Sequence, residues 1–185
     1  MHRQGEHLRQ RQRGLTLIEQ VLTTLIVAIL ACVAAPALGH LVVRNRLQVA
    51  QSDVIAALQQ ARELAIHTQQ RSMLCPSRDG KQCSDEVHWE RGWLIGHYRV
   101  KQADQLDGSP RSTMNDHERM TIISTAGRRR IRFQANGTAE GSNTSFALCR
   151  SGDPRDALLV VVSRAGRIYG KKASPEQALG CANAT

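Results

Sequence analysis

The sequence predicts an α+β fold, one long N-terminal α-helix packed on a mainly antiparallel β-sheet, and three observations carry that expectation. An apolar run from Leu15 to Val43 holds one acidic residue, Glu19, one histidine, His40, and no lysine or arginine. Directly after it, apolar residues recur at three- and four-residue spacing to about His67, the period of a helix with one buried face. From Ser72 onward the pattern changes to short apolar runs separated by turn residues, the mark of strands. The shifts divide the chain into a basic N-terminal segment (1–14), a transmembrane helix (15–43), an amphipathic continuation (44–70) and a β-rich globular domain (71–185).

About 20 apolar residues cross a bilayer as a helix, and the first run is longer than that. A secretory signal has a shorter apolar stretch followed by a small-residue cleavage site. Here Arg3, Arg9, Arg11 and Arg13 end at Gly14, and the apolar run starts immediately afterwards. Four arginines before the span against Arg44 and Arg46 after it favour a cytoplasmic N-terminus. Glu19 is the exceptional residue. A carboxylate at bilayer depth costs roughly 3 kcal/mol, so it marks a partner or a pathway; the plainer account is a helix-start acid favoured by the macrodipole. Pro36, with Gly39 after it, predicts an interruption and a bend, because proline removes a backbone donor and crowds the carbonyl four residues back.

In the amphipathic half, Leu47, Ala50, Val54, Ala57, Leu58, Ala61, Leu64 and Ala65 form the stripe, with Gln48, Gln51, Asp53, Gln59, Arg62 and Glu63 between them. Strands are expected at Met73–Cys75, Trp93–Val100, Met120–Ser124, Arg130–Gln134, Thr144–Arg150, Leu158–Arg164 and Arg167–Lys171. Asn136-Gly137 and Ala165-Gly166 are the turn signals. Lys101–Glu118, rich in Asp, Ser, Gly and Pro, reads as a polar loop and the most mobile region of the chain. Aromatics make up 3% of the residues, so the core should be aliphatic, with Trp89 and Trp93 as fillers of the core or an interface.

Five cysteines divide into Cys32, a small packing residue inside the apolar run, and Cys75, Cys83, Cys149 and Cys181 in the exported part, where disulfides persist. Four cysteines allow three pairings; proximity favours Cys75 with Cys83, which leaves Cys149 with Cys181. His88 or His97 beside Cys75 and Cys83 fits no compact zinc pattern. No phosphate-cradling glycine loop, G-x-S-x-G elbow or cofactor motif is present. The histidines are scattered, and turn formation accounts for Asp104 and Asp107. The sequence argues against an enzyme.

Gly14 before Leu15, then Thr16, Leu17, Ile18 and Glu19, with Pro36 further on, resembles the class III signal of type IV pilins and pseudopilins. Cys75-Pro76-Ser77, Asp79-Gly80, Cys83, Trp89 and Gly92-Trp93 resemble the GspH/FimT branch of minor pilins and pseudopilins. So do Cys149, Val161-Val162-Ser163, Gly166-Arg167 and Cys181. Leu15 is a departure, since phenylalanine is commoner there. The resemblance implies a pilin fold, and cleavage of the leader 1–14 between Gly14 and Leu15 by prepilin peptidase. It also implies N-methylation of Leu15 and assembly with other major and minor pilins or pseudopilins, in a type IV pilus or a type II secretion pseudopilus, near the filament tip. The new amine of Leu15 would pair with Glu19 of the same or a neighbouring subunit. Before assembly the chain would be a single-pass protein of the bacterial inner membrane with its C-terminal domain in the periplasm.

The formal charge is +9, compatible with an anionic partner. Arg128, Arg129, Arg130 and Arg132 form one group, and Arg164, Arg167, Lys171 and Lys172 flank the last hairpin. Both groups can meet at one end of the sheet and contact phosphates. Some FimT-like pilins bind double-stranded DNA in natural transformation through a G-R-x-R motif on this hairpin. Gly166-Arg167-Ile168-Tyr169 lacks its second arginine, for which Lys171 and Lys172 would compensate while Tyr169 stacks on a base. The favoured reading is a solvated basic face, or one that meets an acidic patch on a neighbouring pilin, with DNA binding as the alternative.

Overall fold

Thr16 opens the first helix, α1 (Leu17–Thr68): the backbone N–H of Glu19 donates to its carbonyl at 3.0 Å and to its hydroxyl at 3.4 Å, which caps the first turn. Gln69, at φ +54°, ends it in a left-handed conformation, the common way for a helix to stop. The computed structural model describes residues 16–99, 104–114, 117, 119–141 and 143–184, without the side chains of 33–37 and 126. Gly14, Leu15 and the Pro36 side chain therefore lie outside the described residues. The helix continues through 36–39 instead of being interrupted there, although Pro36 lacks the N–H that would reach the carbonyl of Cys32.

The chain divides into two units between Leu41 and Val42. In the first, the described part of α1 presents its apolar side chains all round. Leu17 is 83% exposed, and Val21, Leu25, Leu30 and Leu41 are more than half exposed. Among the described residues no helix is long and apolar enough to cross a membrane, the side chains at 33–37 standing apart from that statement.

The second unit contains two four-stranded antiparallel sheets where one was expected. One has the order β3 (Asp107–Thr113), β2 (Trp93–His97), β1 (Ser72–Pro76), β5 (Ile131–Phe133). The other runs β4 (Met120–Ser124), β6 (Thr144–Arg150), β7 (Asp153–Val162), β8 (Ile168–Lys172). A shared core joins both to α1: Leu47, Ala50, Val54, Leu58, Ala61 and Ala65 lie with Leu74, Ile95 and Phe133 from one sheet and Ile122, Phe146 and Val160 from the other. Trp89 and Trp93 are buried here as core fillers, and Trp89 meets Phe146 edge to face at 5.1 Å.

Three elements depart from the expected pattern. β3 occupies the stretch read as a loop: as an edge strand it pairs only with β2 and is largely exposed, so it needs no apolar alternation and tolerates Pro110. β7 begins five residues before Leu158, because its exposed first residues carry no apolar signal. The last is a C-terminal helix, α2 (Pro175–Ala182). Ser174 caps it, with Pro175 at its start and Gln177 completing a reciprocal capping box.

α2 lies on the face of the second sheet opposite α1. Along β6, Phe146 and Leu148 join the α1 core while Ala147 and Cys149 join Ala178 and Cys181 in a smaller cluster, as the two-residue strand period requires. A Cys149–Cys181 disulfide crosslinks the layers. A second disulfide, Cys75–Cys83, closes a short loop. Inside it, Asp79 Oδ1 accepts from the N–H groups of Lys81 at 2.9 Å and Gln82 at 3.0 Å. These donors hold the Asp79 carboxyl below the usual range.

The Cys149–Cys181 link spans 32 residues, so replacing both with serine should cost about 3 to 4 kcal/mol by loop-closure entropy. Denaturant unfolding would show the lower midpoint, and hydrogen exchange should show the α2 amides opening first.

Candidate functional site

Two features exceed what a self-contained globular domain needs: the apolar half of α1, exposed among the described residues, and the basic terminal hairpin. On the first, Thr23 and Thr24 return their hydroxyls to carbonyls one turn back, which leaves few polar groups on that helix unsatisfied. Glu19 stands in its first turn, exposed. A helix apolar on every side calls for burial in lipid or among other helices, and Glu19 is the one carboxylate such burial would enclose.

The β7–β8 hairpin turns at Ser163–Arg167. The N–H of Gly166 donates to the Ser163 carbonyl at 2.8 Å, and that of Ala139 to the Arg164 carbonyl at 3.0 Å. Gly166 has φ +79°, and a Cβ there would run into the Gly137 carbonyl. That carbonyl in turn accepts from Arg62 Nε of α1 at 3.0 Å. The glycine before Arg167 is thus required by a close approach of two turns. Arg164 and Arg167 are exposed, and the Arg167 guanidinium lies 5.8 Å from the Tyr169 ring centroid.

The arginines of the 128–132 group are taken up by several different neighbours. Arg129 pairs with Asp85 at 2.6 Å and Arg132 with Asp104 at 2.8 Å. Arg130 donates to the Ser84 carbonyl at 3.0 Å, and burial lowers its pKa. Arg132 also lies over the Tyr98 ring at 5.6 Å. Arg128 stands beside Gly141, close in sequence to the Asn143 side chain that accepts from the Arg164 N–H. Lys171 and Lys172 pair with Leu159 and Leu158, at the end of β8 away from the turn, and so do not reinforce Arg167. Asp107 is held by Arg99 at 2.8 Å. Four like charges that read as one run are spread by strand geometry over different neighbours.

Lys171 and Lys172 instead line a cleft of about 680 Å³ together with Arg44, Arg155 and Asp156. Gln51 of α1 sets its geometry by donating to the carbonyls of Leu159 at 3.0 Å and Lys171 at 3.4 Å. Gly170 leaves the room: a Cβ there would lie 2.7 Å from the Gln51 amide. Sequence reasoning missed this cleft because one wall is α2, although Ser174-Pro175-Glu176-Gln177 carried the capping signal that would have found it. Among the described residues no group of three His, Cys, Asp or Glu is arranged to hold a metal ion. His88 faces Glu90 at 3.3 Å, and His97 Nδ1 lies 3.2 Å from the Arg71 carbonyl.

Tyr98 gives a direct test of the neutralised arginine region. Its hydroxyl donates to Glu140 Oε2 at 2.8 Å, and burial, then that carboxylate, push it up to about 12. A raised pKa means its contribution is complete below the unfolded value near 10 and lost as pH rises towards 12. Ultraviolet titration of the folded protein should show the Tyr98 phenolate appearing near 12, and Glu140→Gln should lower that value.

The family model described as type II transport protein GspH matches residues 50–166. The structure is similar to the type IV minor pilin FimU of Pseudomonas aeruginosa, with 24% identity over 72% of this chain and 92% of that one, and a TM-score of 0.58. In a second crystal form of FimU the identity is 23% over 67% and 91%, with a TM-score of 0.56. The minor pseudopilin EpsH of Vibrio cholerae is 14% identical over 69% of this chain and 97% of that one, with a TM-score of 0.48. No curated protein matches the sequence. The family match ends before β8 and α2.

Proposed function

We propose, from the premise that this chain belongs to the GspH family of type II transport proteins, that it is a minor subunit of a type IV pilus or a type II secretion pseudopilus. The precursor sits in the bacterial inner membrane with its β-rich domain in the periplasm. Prepilin peptidase cuts it between Gly14 and Leu15, the new amine is methylated, and the mature chain joins other pilins or pseudopilins near the filament tip. The observation that carries this reading is the first half of α1, apolar all round and exposed. Lipid covers such a surface before assembly, and helices of neighbouring subunits cover it afterwards.

Glu19 gives assembly its register. Enclosed in an apolar bundle, its carboxylate costs roughly 3 kcal/mol unless a cation meets it. The amine of Leu15, freed by cleavage, is the nearest candidate along the sequence. A subunit seated at the wrong height would leave both charges unpaired, so the pairing selects one axial position. In cells with the peptidase, the mature protein should have lost the mass of residues 1–14. Glu19→Ala should leave that processing intact and lower incorporation into filaments about tenfold or more, measured by immunoblot of sheared filaments. Retention of Met1 to Gly14 would exclude the filament role, and normal incorporation of the variant would exclude the pairing.

A second reading, binding of double-stranded DNA during uptake, draws support from one observation, exposed Arg167 at the turn lying over exposed Tyr169 of the edge strand β8. It rests on Arg164 and Arg167 at the turn, with Lys171 and Lys172 set apart at the strand's other end. Retardation of duplex DNA at low salt, steeply reduced by added salt and abolished in Arg164→Ala with Arg167→Ala, would support it. Retardation unchanged in that variant would remove it.

A further inference from the structure

The cleft between α1, the β7–β8 hairpin and α2 has a composition that the filament role does not use. Its rim carries Arg44, Arg155, Lys171 and Lys172 against the single acid Asp156. Arg155 is committed, holding Asp153 through Nε at 2.9 Å and Nη2 at 2.8 Å. Arg44, Lys171 and Lys172 are exposed and form no ion pair among the described residues. Leu158, Pro175 and Leu179 supply apolar lining, and Leu179 is 53% exposed. Gln51, two helical turns after Arg44 and so on the same face of α1, ties β8 to the helix and keeps the lysines beside Arg44.

Sequence position decides which anion such a cleft meets. Arg44 directly follows Val43, the last residue of the apolar run. With that run in a bilayer, the cleft's first cation stands where the lipid phosphates begin. We propose that this cleft binds the phosphate headgroup of an anionic phospholipid, with Arg44, Lys171 and Lys172 as its cations and the apolar lining against the glycerol and upper acyl chain. The proposal rests on the membrane-anchored reading of the run. Three cations line one cleft, Lys171 and Lys172 from opposite faces of the edge strand β8, and a site of this charge would hold the unassembled subunit's β-rich domain at the membrane surface. Extraction into a filament would then exchange lipid contacts for subunit contacts.

The test uses the full chain in nanodiscs of phosphatidylcholine alone, or of phosphatidylcholine with phosphatidylglycerol, followed by hydrogen exchange of residues 154–158 and 170–179. Phosphatidylglycerol should slow exchange there about tenfold. Lys171→Gln with Lys172→Gln should lower the affinity for phosphatidylglycerol about twenty-fivefold, about fivefold for each charge removed, and so abolish that slowing. The charge-matched control Lys81→Gln with Arg91→Gln should leave it unchanged. Equal exchange in the two lipids, or equal loss in the control, would overturn the lipid site. The same protection from inorganic phosphate or a short DNA duplex in phosphatidylcholine discs would overturn it in favour of a free anion or nucleic acid. Failure of the chain to enter either disc would bring down the anchored reading and this site with it, whereas entry without lipid dependence would remove the site alone.

Discussion

Both sheets close on one strip of α1, the aliphatic residues from Leu47 to Ala65, and the rest of the second unit depends on that burial. The strip alternates bulk and small side chains. Leu47, Val54 and Leu58 fill volume, while Ala50, Ala57, Ala61 and Ala65 leave room for the sheets to approach. A fully buried leucine contributes about 1.5 to 3 kcal/mol. Ser72 strengthens the junction at the helix end by donating to the Ala61 carbonyl at 2.5 Å. Polar contacts from the same helix then fix what lies further out: Arg62 reaches the turn at Gly137, and Gln51 reaches β7 and β8. The hairpin is positioned by a helix to which it has no sequence proximity.

The same helix serves two solvents. Before Val42 its apolar groups face outward on all sides; from Leu47 on they face one way, into the protein. That division follows from side-chain spacing alone, since a stripe with polar residues between its members can bury only one face. The position of Glu19 in the first turn then matters because little else on the first half is charged.

The outer layer shows how a small unit adds stability without enlarging its main core. α2 covers part of the second sheet's far face with few apolar groups, Ala178, Cys181 and Ala182 among them. A covalent link to β6 compensates for the small buried area. In placing α2 there, the fold also builds a cleft wall beside β8. The distribution of arginines follows the same logic of neighbours: Arg129 and Arg132 are taken up by Asp85 and Asp104, while Arg164 and Arg167 stay exposed at a turn.

Sequence alone determined what depends on local spacing. The long helix, its change from all-round to one-sided apolar character at about residue 44, the unusual carboxylate at Glu19, the filler role of the tryptophans and most strand positions all follow from side-chain period and turn chemistry. The α+β class follows with them. Tertiary structure decided whatever depends on residues far apart meeting: the division into two sheets, the edge pairing that makes 107–113 a strand, the placement of α2, and the separation of the arginines from Lys171 and Lys172. A two-residue period says which face of a strand is buried but not which strand lies beside it. A row of cations says nothing of the carboxylates that folding will bring opposite. That is why the apolar helix was legible in the sequence, and why the basic cleft lined by Arg44 became visible only once the chain was closed.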